Sequence, residues 1–405
     1  MQSLAFAPRI PAETPAKTAG EKVIVACMRD EALFVVEWVA HHLAVGFDRI
    51  IVFTNECSDG TDKILDAMAG FMPVEHYDNP GPYTAGTIQK QALETAFALP
   101  QVRQAAWILH IDADEFVNVE IGRRRIDDLI ALYPDVDAIA LQWRHFGSAG
   151  VAKWQGGSVV ETFTRTERDV PVPEAKAQIG FKTLFRPQKF KMMGVHSPKQ
   201  PRRRQVPVAV NTAGTAMPID ALLSKRKSGY RVAASQCSWA NASLHHHHVK
   251  SDDLHLLKHA RGDANGRHNK KRVIGSDYYR LADRNEVESK SLVRFRPQVT
   301  PIEAQIRGLP RVAELEAAAM AWFQARFQDM VAGPALVEQE EAALDWLRAR
   351  LAELRLQAGP MGYEAAATDW FHRLMLRLDA VDEDTEDTRA ENPDPPATAQ
   401  ARSVA

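Results

Sequence analysis

The sequence predicts an α/β fold in which a sheet of mainly parallel strands is flanked by helices and followed by a helical C-terminal region. Three observations predict it. Short apolar runs alternate with amphipathic stretches over roughly the first 120 residues, the pattern of βαβ units with right-handed crossovers. One run, Trp107-Ile-Leu-His-Ile-Asp-Ala-Asp-Glu-Phe116, reads as a strand buried on both faces and ends in three carboxylates. From about residue 300 the chain becomes rich in Ala, Leu, Glu and Arg with helical periodicity.

Taken in order, residues 1–20 form an Ala/Pro/Thr-rich flexible lead-in. Val23–Cys27 is a compact apolar strand. Asp30 opens a helix whose apolar positions Leu33, Val36, Trp38, Ala40 and Leu43 give helical periodicity, and Gly46 ends it. Arg49–Thr54 is a second strand. The Asn55–Thr61 segment is a turn rich in capping residues, and a helix through Ile64, Leu65 and Met68 follows. Val74–Tyr77 is a third strand, Gln89–Phe97 a helix, and the Trp107 strand comes next. Later strands are expected at Asp137–Trp143, Lys182–Arg186 and Ser243–Lys250, the last holding four consecutive histidines. Residues 198–230, with the basic triplets Arg202–Arg204 and Lys225–Lys227, read as an irregular excursion. Helices are expected at Val312–Met330, Val337–Leu356 and Glu364–Leu378. The domain reading is therefore a lead-in over 1–20, an α/β domain over 21–300, a helical region over 301–378 and a disordered acidic tail over 379–405.

Composition bounds the function. Hydrophobic residues make up 45% of the 405, enough for a sizeable core. The net charge of −2 argues against a nucleic-acid partner held by the overall field. Cys27, Cys57 and Cys237 have neither metal-type spacing nor the look of a disulfide framework, which favours a reducing compartment. No apolar run has membrane-spanning length and no signal-peptide pattern opens the chain, so a cytoplasmic protein is expected, or one peripheral to the inner membrane surface.

In open α/β sheets ligands gather beyond the carboxyl ends of the strands, here Met28–Glu31, Asn55–Gly60 and Asp112–Glu115. Asp-x-Asp is a seat for a hard divalent cation shared with substrate phosphates. Asp112 and Asp114 supply such a pair. Consecutive histidines on a strand point to alternate faces, so His246 shares a face with His248 and not with His245.

These residues resemble the GT-A glycosyltransferases, in particular a family-two-like branch. The resemblance rests on Arg29-Asp-Glu31, Glu37-Trp38, His41-His-Leu43 and Gly46, on Asn55-Glu-Cys-Ser-Asp-Gly-Thr61, and on Trp107–Phe116. It continues through Trp143–Gly150, Arg186-Pro187, Val195-His196 and His245–Ser251, followed by Lys258 and Arg261-Gly262, and covers about residues 21–265. Asp30 stands where the branch usually has Asn, and His245 and His247 where it has Asn and Tyr.

The resemblance implies a Rossmann-like mixed sheet and transfer of a sugar from a nucleotide-sugar donor, UDP-linked, to a glycan, a lipid-linked glycan or a polysaccharide precursor. It implies a Mn²⁺ or Mg²⁺ cofactor bound by Asp112 and Asp114, with His246 as a further ligand and His196 in reserve. Asp59 and Asn55 fall within reach of the nucleotide base, although turn formation explains both as well. Asp30 and Glu31 sit at a strand end, where capping or solvating the first helical turn is the plainer use of them. Lys250, Lys258 and Arg261 are expected to grip phosphate, although a solvated helix face explains Lys258 and Arg261 as well, and Arg144 is expected to border the acceptor. Glu161 is the first candidate for the base that takes the acceptor proton, ahead of Glu167 and Glu174. Two other functions draw on the same residues: a metal-dependent phosphoesterase or nucleotidyltransferase, and a non-catalytic sugar-nucleotide-binding scaffold.

Overall fold

The computed structural model describes residues 20–83, 86–151, 153–168, 178–202, 206–217, 231–233, 237–260 and 277–332. The expectations for the lead-in, for Glu174, Arg203, Arg204, Lys225–Lys227 and Arg261, and for the chain from 333 onward lie outside them.

Three helices and four strands build the first half, with a further five-residue helix, Pro100–Gln104, between the last two elements. They are β1 (Lys22–Met28), α1 (Val35–Val45), β2 (Arg49–Thr54), α2 (Thr61–Met68), β3 (Val74–Asp78), α3 (Ile88–Ala98) and β4 (Trp107–His110). β1 pairs in parallel with β2 and with β4, and β2 in parallel with β3. Alternation along each strand feeds two cores. Ile24, Ala26, Ile50, Val52, Trp107 and Leu109 face α1 and α2, meeting Trp38, Val39, Ile64 and Leu65. Val23, Val25, Ile51, Phe53 and Ile108 face α3, meeting Leu93, Ala96 and Phe97. Burial on both faces is why these strands read as unbroken apolar runs.

The second half turns the sheet mixed. Its strands are β5 (Glu115–Val119), β6 (Ala138–His145), β7 (Arg165–Thr166), β8 (Gln178–Phe185), β9 (Phe190–Met192), β10 (Lys199–Pro201), β11 (Ala209–Asn211), β12 (Arg231–Ala233) and β13 (Ala242–His246). The ten-stranded sheet runs β3-β2-β1-β4-β8-β6-β13-β5, with β11 on β6 and β12 on β8. β8 is antiparallel to β4 and β6, β13 is parallel to β6, and β5 is antiparallel to β13. The result is the mixed sheet flanked by helices expected from the sequence.

Four local expectations change. The first helix starts at Val35 and Asp30 does not cap it; Asp30 has a left-handed backbone, φ +51°, in the loop before it. Glu31 does not solvate a helical turn but is buried. β5 was not anticipated, because it opens on Glu115, the last of the three carboxylates, only a short turn after β4 ends at His110. The histidine strand stops at His246, and His247 and His248 continue as loop.

The first compact unit spans Met1–Ala325, and its core takes in Val299, Ile306, Val312, Ala319 and Phe323. A helix over Arg296–Arg307 packs along α1, so the expected boundary at 300 falls inside a helix. Of the second unit, Arg326–Ala405, the structure describes only the end of the Val312–Ala332 helix. Among the described residues no helix is long and apolar enough to cross a membrane.

Asp59 ties two strand-end loops together. Its carboxylate accepts from the Ala32 amide at 2.7 Å, the Thr61 amide at 2.9 Å and the Thr61 hydroxyl at 2.6 Å. Thr61 Oγ1 accepts in turn from the Glu31 amide at 2.8 Å. Asp59→Ala strands two buried amides and should lower unfolding free energy by about 2 kcal/mol or more. Asp59→Asn, which keeps one acceptor oxygen, should lose less. Urea denaturation of the two variants measures the difference, and equal losses would contradict this account.

Candidate metal and donor site

The parallel registers of β1, β2 and β4 bring Asp30, Asn55–Asp59 and Asp112–Glu115 to one edge of the sheet. β13 completes the site from the other side. Its pairing with β5 sets His246 opposite Glu115, and the His247 amide donates to the Asp114 carbonyl at 2.8 Å. His246 and His248 therefore flank the Asp114 side chain. His246 Nε2 lies 3.6 Å from Asp114 Oδ1, and His248 Nδ1 lies 3.8 Å from Asp114 Oδ2. One ligand atom from each of the three residues falls within 4.8 Å of the other two.

The protonation states suit a cation. Burial alone would push Asp114 up, but Lys258, His246 and Lys250 outweigh it and hold the carboxyl well below its ordinary value. Burial drives both His246 and His248 down, so each ring is neutral and has a lone pair to offer. Gaps of 3.6 and 3.8 Å exceed hydrogen-bond length and approach the roughly 3.4 Å between two ligands of one tetrahedral ion. An ionised carboxylate and two neutral imidazoles at these spacings fit a divalent metal.

Asp112 is arranged differently. Lys182, fully buried on β8, places Nζ 3.0 Å from Asp112 Oδ2 and 3.6 Å from Glu115 Oε2. Gln89 Nε2 donates to Asp112 Oδ1 at 3.2 Å and to His110 Nε2 at 3.1 Å. The His110 tautomer follows: Nδ1 donates to the Val25 carbonyl at 2.9 Å, leaving Nε2 as the acceptor. Burial would raise Asp112, but Lys182 and His110 bring it down to about 2. Its side chain remains 36% exposed, open to a ligand. Glu115 is fully enclosed, accepts from Trp143 Nε1 at 2.6 Å and from the Asp112 amide at 2.8 Å, and is pushed up by burial.

Of the other expected residues, the structure brings Lys258 and Lys250 to the site. Lys258 Nζ lies 2.5 Å from Asp114 Oδ2, and Lys250 Nζ stands 4.4 Å from the Phe34 ring centroid, near enough to lower Asp114. Asn55 is buried, and its Nδ2 has no hydrogen-bond partner among the described residues. Asp30 accepts from the Ser58 amide at 2.6 Å. His196 does not join Asp114; it packs against Trp143 and faces the Phe181 carbonyl at 3.3 Å. Arg144 alternates with Trp143 and His145, both of which pack on His246, and so points to the opposite face of the sheet. There it lines a cavity of about 370 Å³ with Glu120 and Trp239. Glu161 lies on an exposed turn of helix and pairs with Arg296 at 3.2 Å, away from these contacts. Glu167, behind it in the sequence reading, sits closer. It accepts from the His145 amide at 2.7 Å and from His145 Nδ1 at 3.2 Å, and the His145 ring centroid is 5.6 Å from that of His246.

Three arrangements escape sequence reasoning: the approach of His248 to Asp114, the burial of Lys182 beside Asp112, and the contact of His145 with Glu167, which the sequence offered only as a reserve base. Lys182 left one signal, a cation within an otherwise apolar strand.

Residues 24–217 match the family model for glycosyltransferase family 92. The matched segment is of glycosyltransferase type. A glycosyltransferase family 92 protein of Oryza sativa subsp. japonica is 24% identical over 152 residues, which is 36% of this chain and 25% of the rice protein. The chain thus spans about a quarter of that relative's length. Among solved structures, S. aureus TarS 1-349 aligns over 90% of this chain and 92% of its own at 11% identity, TM-score 0.28. The same fragment has been solved with UDP-GlcNAc, at 12% identity and TM-score 0.26 over the same shares. The S. cerevisiae mannosyltransferase Ktr4p in complex with GDP aligns over 37% of this chain and 48% of its own at 7% identity, TM-score 0.24. At these TM-scores the structural likenesses carry no argument.

Lys182→Met would leave Glu115 and Asp112 without their enclosed counter-charge and should destabilise the fold by about 3 kcal/mol. Adding Glu115→Gln should recover part of the loss, which a double-mutant cycle in urea would read as coupling; strict additivity would show that the three residues do not act as a unit. Burial opposes ionisation of Glu167, but the His145 contacts outweigh it and lower its carboxyl below the ordinary 4.5. The stability it contributes is therefore present above pH 4.5 and lost as pH falls through the lower folded value. Glu167→Gln should melt below the wild type at pH 7, with the gap closing on acidification; a gap that widens would reverse the assignment.

Proposed function

We propose that the chain is a metal-dependent glycosyltransferase that moves a sugar from a UDP-linked donor to a hydroxyl of a glycan, a lipid-linked glycan or a polysaccharide precursor. The observation that carries this reading is the Asp114–His246–His248 cluster at the carboxyl edge of the parallel strands. The family 92 match over the same part of the chain supports it, as does the family-two-like order of motifs. Two imidazoles in the ligand set favour Mn²⁺ over Mg²⁺. The cation supplies Lewis-acid neutralisation of the departing diphosphate.

The chain's own residues do the rest. Asp112, oriented by Lys182 and Gln89 and open on one side, accepts from the ribose hydroxyls. Asn55 Nδ2 is a buried donor left for the nucleotide at the same edge. Lys250 and Lys258 bring positive charge to the diphosphate. His145 donates Nδ1–H to Glu167, which leaves Nε2 as the basic nitrogen. An ionised carboxylate behind an imidazole beside the metal cluster is suited to take the proton of the acceptor hydroxyl, and this geometry favours the pair over Glu161.

Thermal melting with UDP tests the donor site. With Mn²⁺, and nucleotide at about a hundred times its dissociation constant, native-state binding adds about 2.7 kcal/mol. The wild type should shift upward by several degrees, and Asp114→Asn should lose the Mn²⁺-dependent part. A UDP shift indifferent to Mn²⁺ and to Asp114→Asn would sink the metal assignment. Hydrolysis of UDP-sugars that no glycan acceptor accelerates would instead favour a phosphoesterase.

A further inference from the structure

Lys258 is not simply beside the cluster; it occupies part of it. Its Nζ contacts Asp114 Oδ2 at 2.5 Å, the His248 carbonyl at 3.3 Å and His248 Nδ1 at 3.5 Å. Two of those three atoms, the Asp114 oxygen and the His248 ring nitrogen, lie on side chains of the prospective ligand set. An ammonium and a divalent ion cannot share one carboxylate oxygen at contact distance, since like charges so close repel strongly in a partly dry site. Lys258 is only part-buried, 24% exposed, and carries a flexible four-carbon stem, so it can leave. Asp114, 8% exposed, cannot follow it into water.

We propose that Lys258 is an internal counter-ion that competes with the metal for Asp114 and transfers to the donor diphosphate when the metal binds, so that metal and nucleotide bind cooperatively. The inference rests on the metal-site reading above. Without nucleotide, a cation must displace Lys258 and then sit near that ammonium and Lys250 with no added anion to offset the extra charge. With a diphosphate present, Lys258 has an anionic partner to move to and the repulsion is relieved. The same residue thus disfavours metal alone and favours metal with nucleotide. By linkage, the factor by which UDP tightens Mn²⁺ equals the factor by which Mn²⁺ tightens UDP.

The test is direct Mn²⁺ binding to the full chain, by calorimetry or by electron paramagnetic resonance of free Mn²⁺, with and without UDP. In the wild type, UDP should tighten Mn²⁺ by about tenfold or more. In Lys258→Met, Mn²⁺ alone should bind about tenfold tighter than in the wild type, and the UDP effect should shrink. Lys258→Gln, which keeps a donor for Asp114 but no charge, should behave as Lys258→Met does and serves if the methionine variant folds poorly without metal. Equal or weaker Mn²⁺ affinity in both variants would overturn the competition. Absence of Mn²⁺ binding from wild type and variants alike, with and without UDP, would overturn the metal site itself and this proposal with it.

Discussion

The antiparallel pairing of β5 with β13 is the contact on which the rest of the site depends. The parallel half of the sheet delivers carboxylates to one edge but no nitrogen ligand. Only when β13 comes back beside β5, with His246 opposite Glu115, do two imidazoles reach Asp114. A shift of one residue would exchange faces. It would offer His245 and His247 instead, whose buried rings pack on Phe146, with His247 also against Phe116, and whose ring nitrogens have no hydrogen-bond partner among the described residues. The histidine tract therefore has two environments on two faces, one packed on aromatic rings and one beside the Asp114 carboxylate, and the register chooses between them.

Charge is divided within the Asp-x-Asp segment in the same way. Asp112 is joined to a lysine that cannot leave, enclosed between strands and shared with Glu115. Asp114 is joined to a lysine on a partly exposed side chain. Two carboxylates two residues apart thus differ in what can replace their partner. On the proposed reading, the first is a fixed acceptor and the second a ligand whose counter-charge can be exchanged.

Much of this was legible in the sequence because it is local. The β1, β2 and β3 strands, the Gly46 helix stop and the placing of Asp112 and Asp114 beyond a buried strand follow from periodicity and turn chemistry over short windows. So does the shared face of His246 and His248, which the structure extends by bringing His248 as close to Asp114 as His246. What escaped depends on contacts between distant segments. Lys182 meets Asp112 across 70 residues, and Glu167 meets His145 across 22. Asp59 looked like a group facing a ligand, yet its oxygens are taken by Ala32 and Thr61, a use visible only once two loops adjoin. The helix over Arg296–Arg307 was hidden by its own Pro297 and Pro301, which weaken any helical reading until packing against α1 is known.

α1 also does something to the sheet that its sequence does not announce. Trp38 Nε1 donates to the Glu115 carbonyl at 2.9 Å, His41 Nε2 donates to the Val117 carbonyl at 2.8 Å, and His42 Nε2 accepts from the Val117 amide at 3.3 Å. These are the outward-facing backbone groups of β5, the last strand of the sheet. An unpaired edge of this kind is ordinarily a template for another chain's strand. Here an indole and two imidazoles stand in for that strand, so the edge is already closed by side chains. At Glu115 and Val117, therefore, the edge offers no free backbone groups on which a further strand could pair.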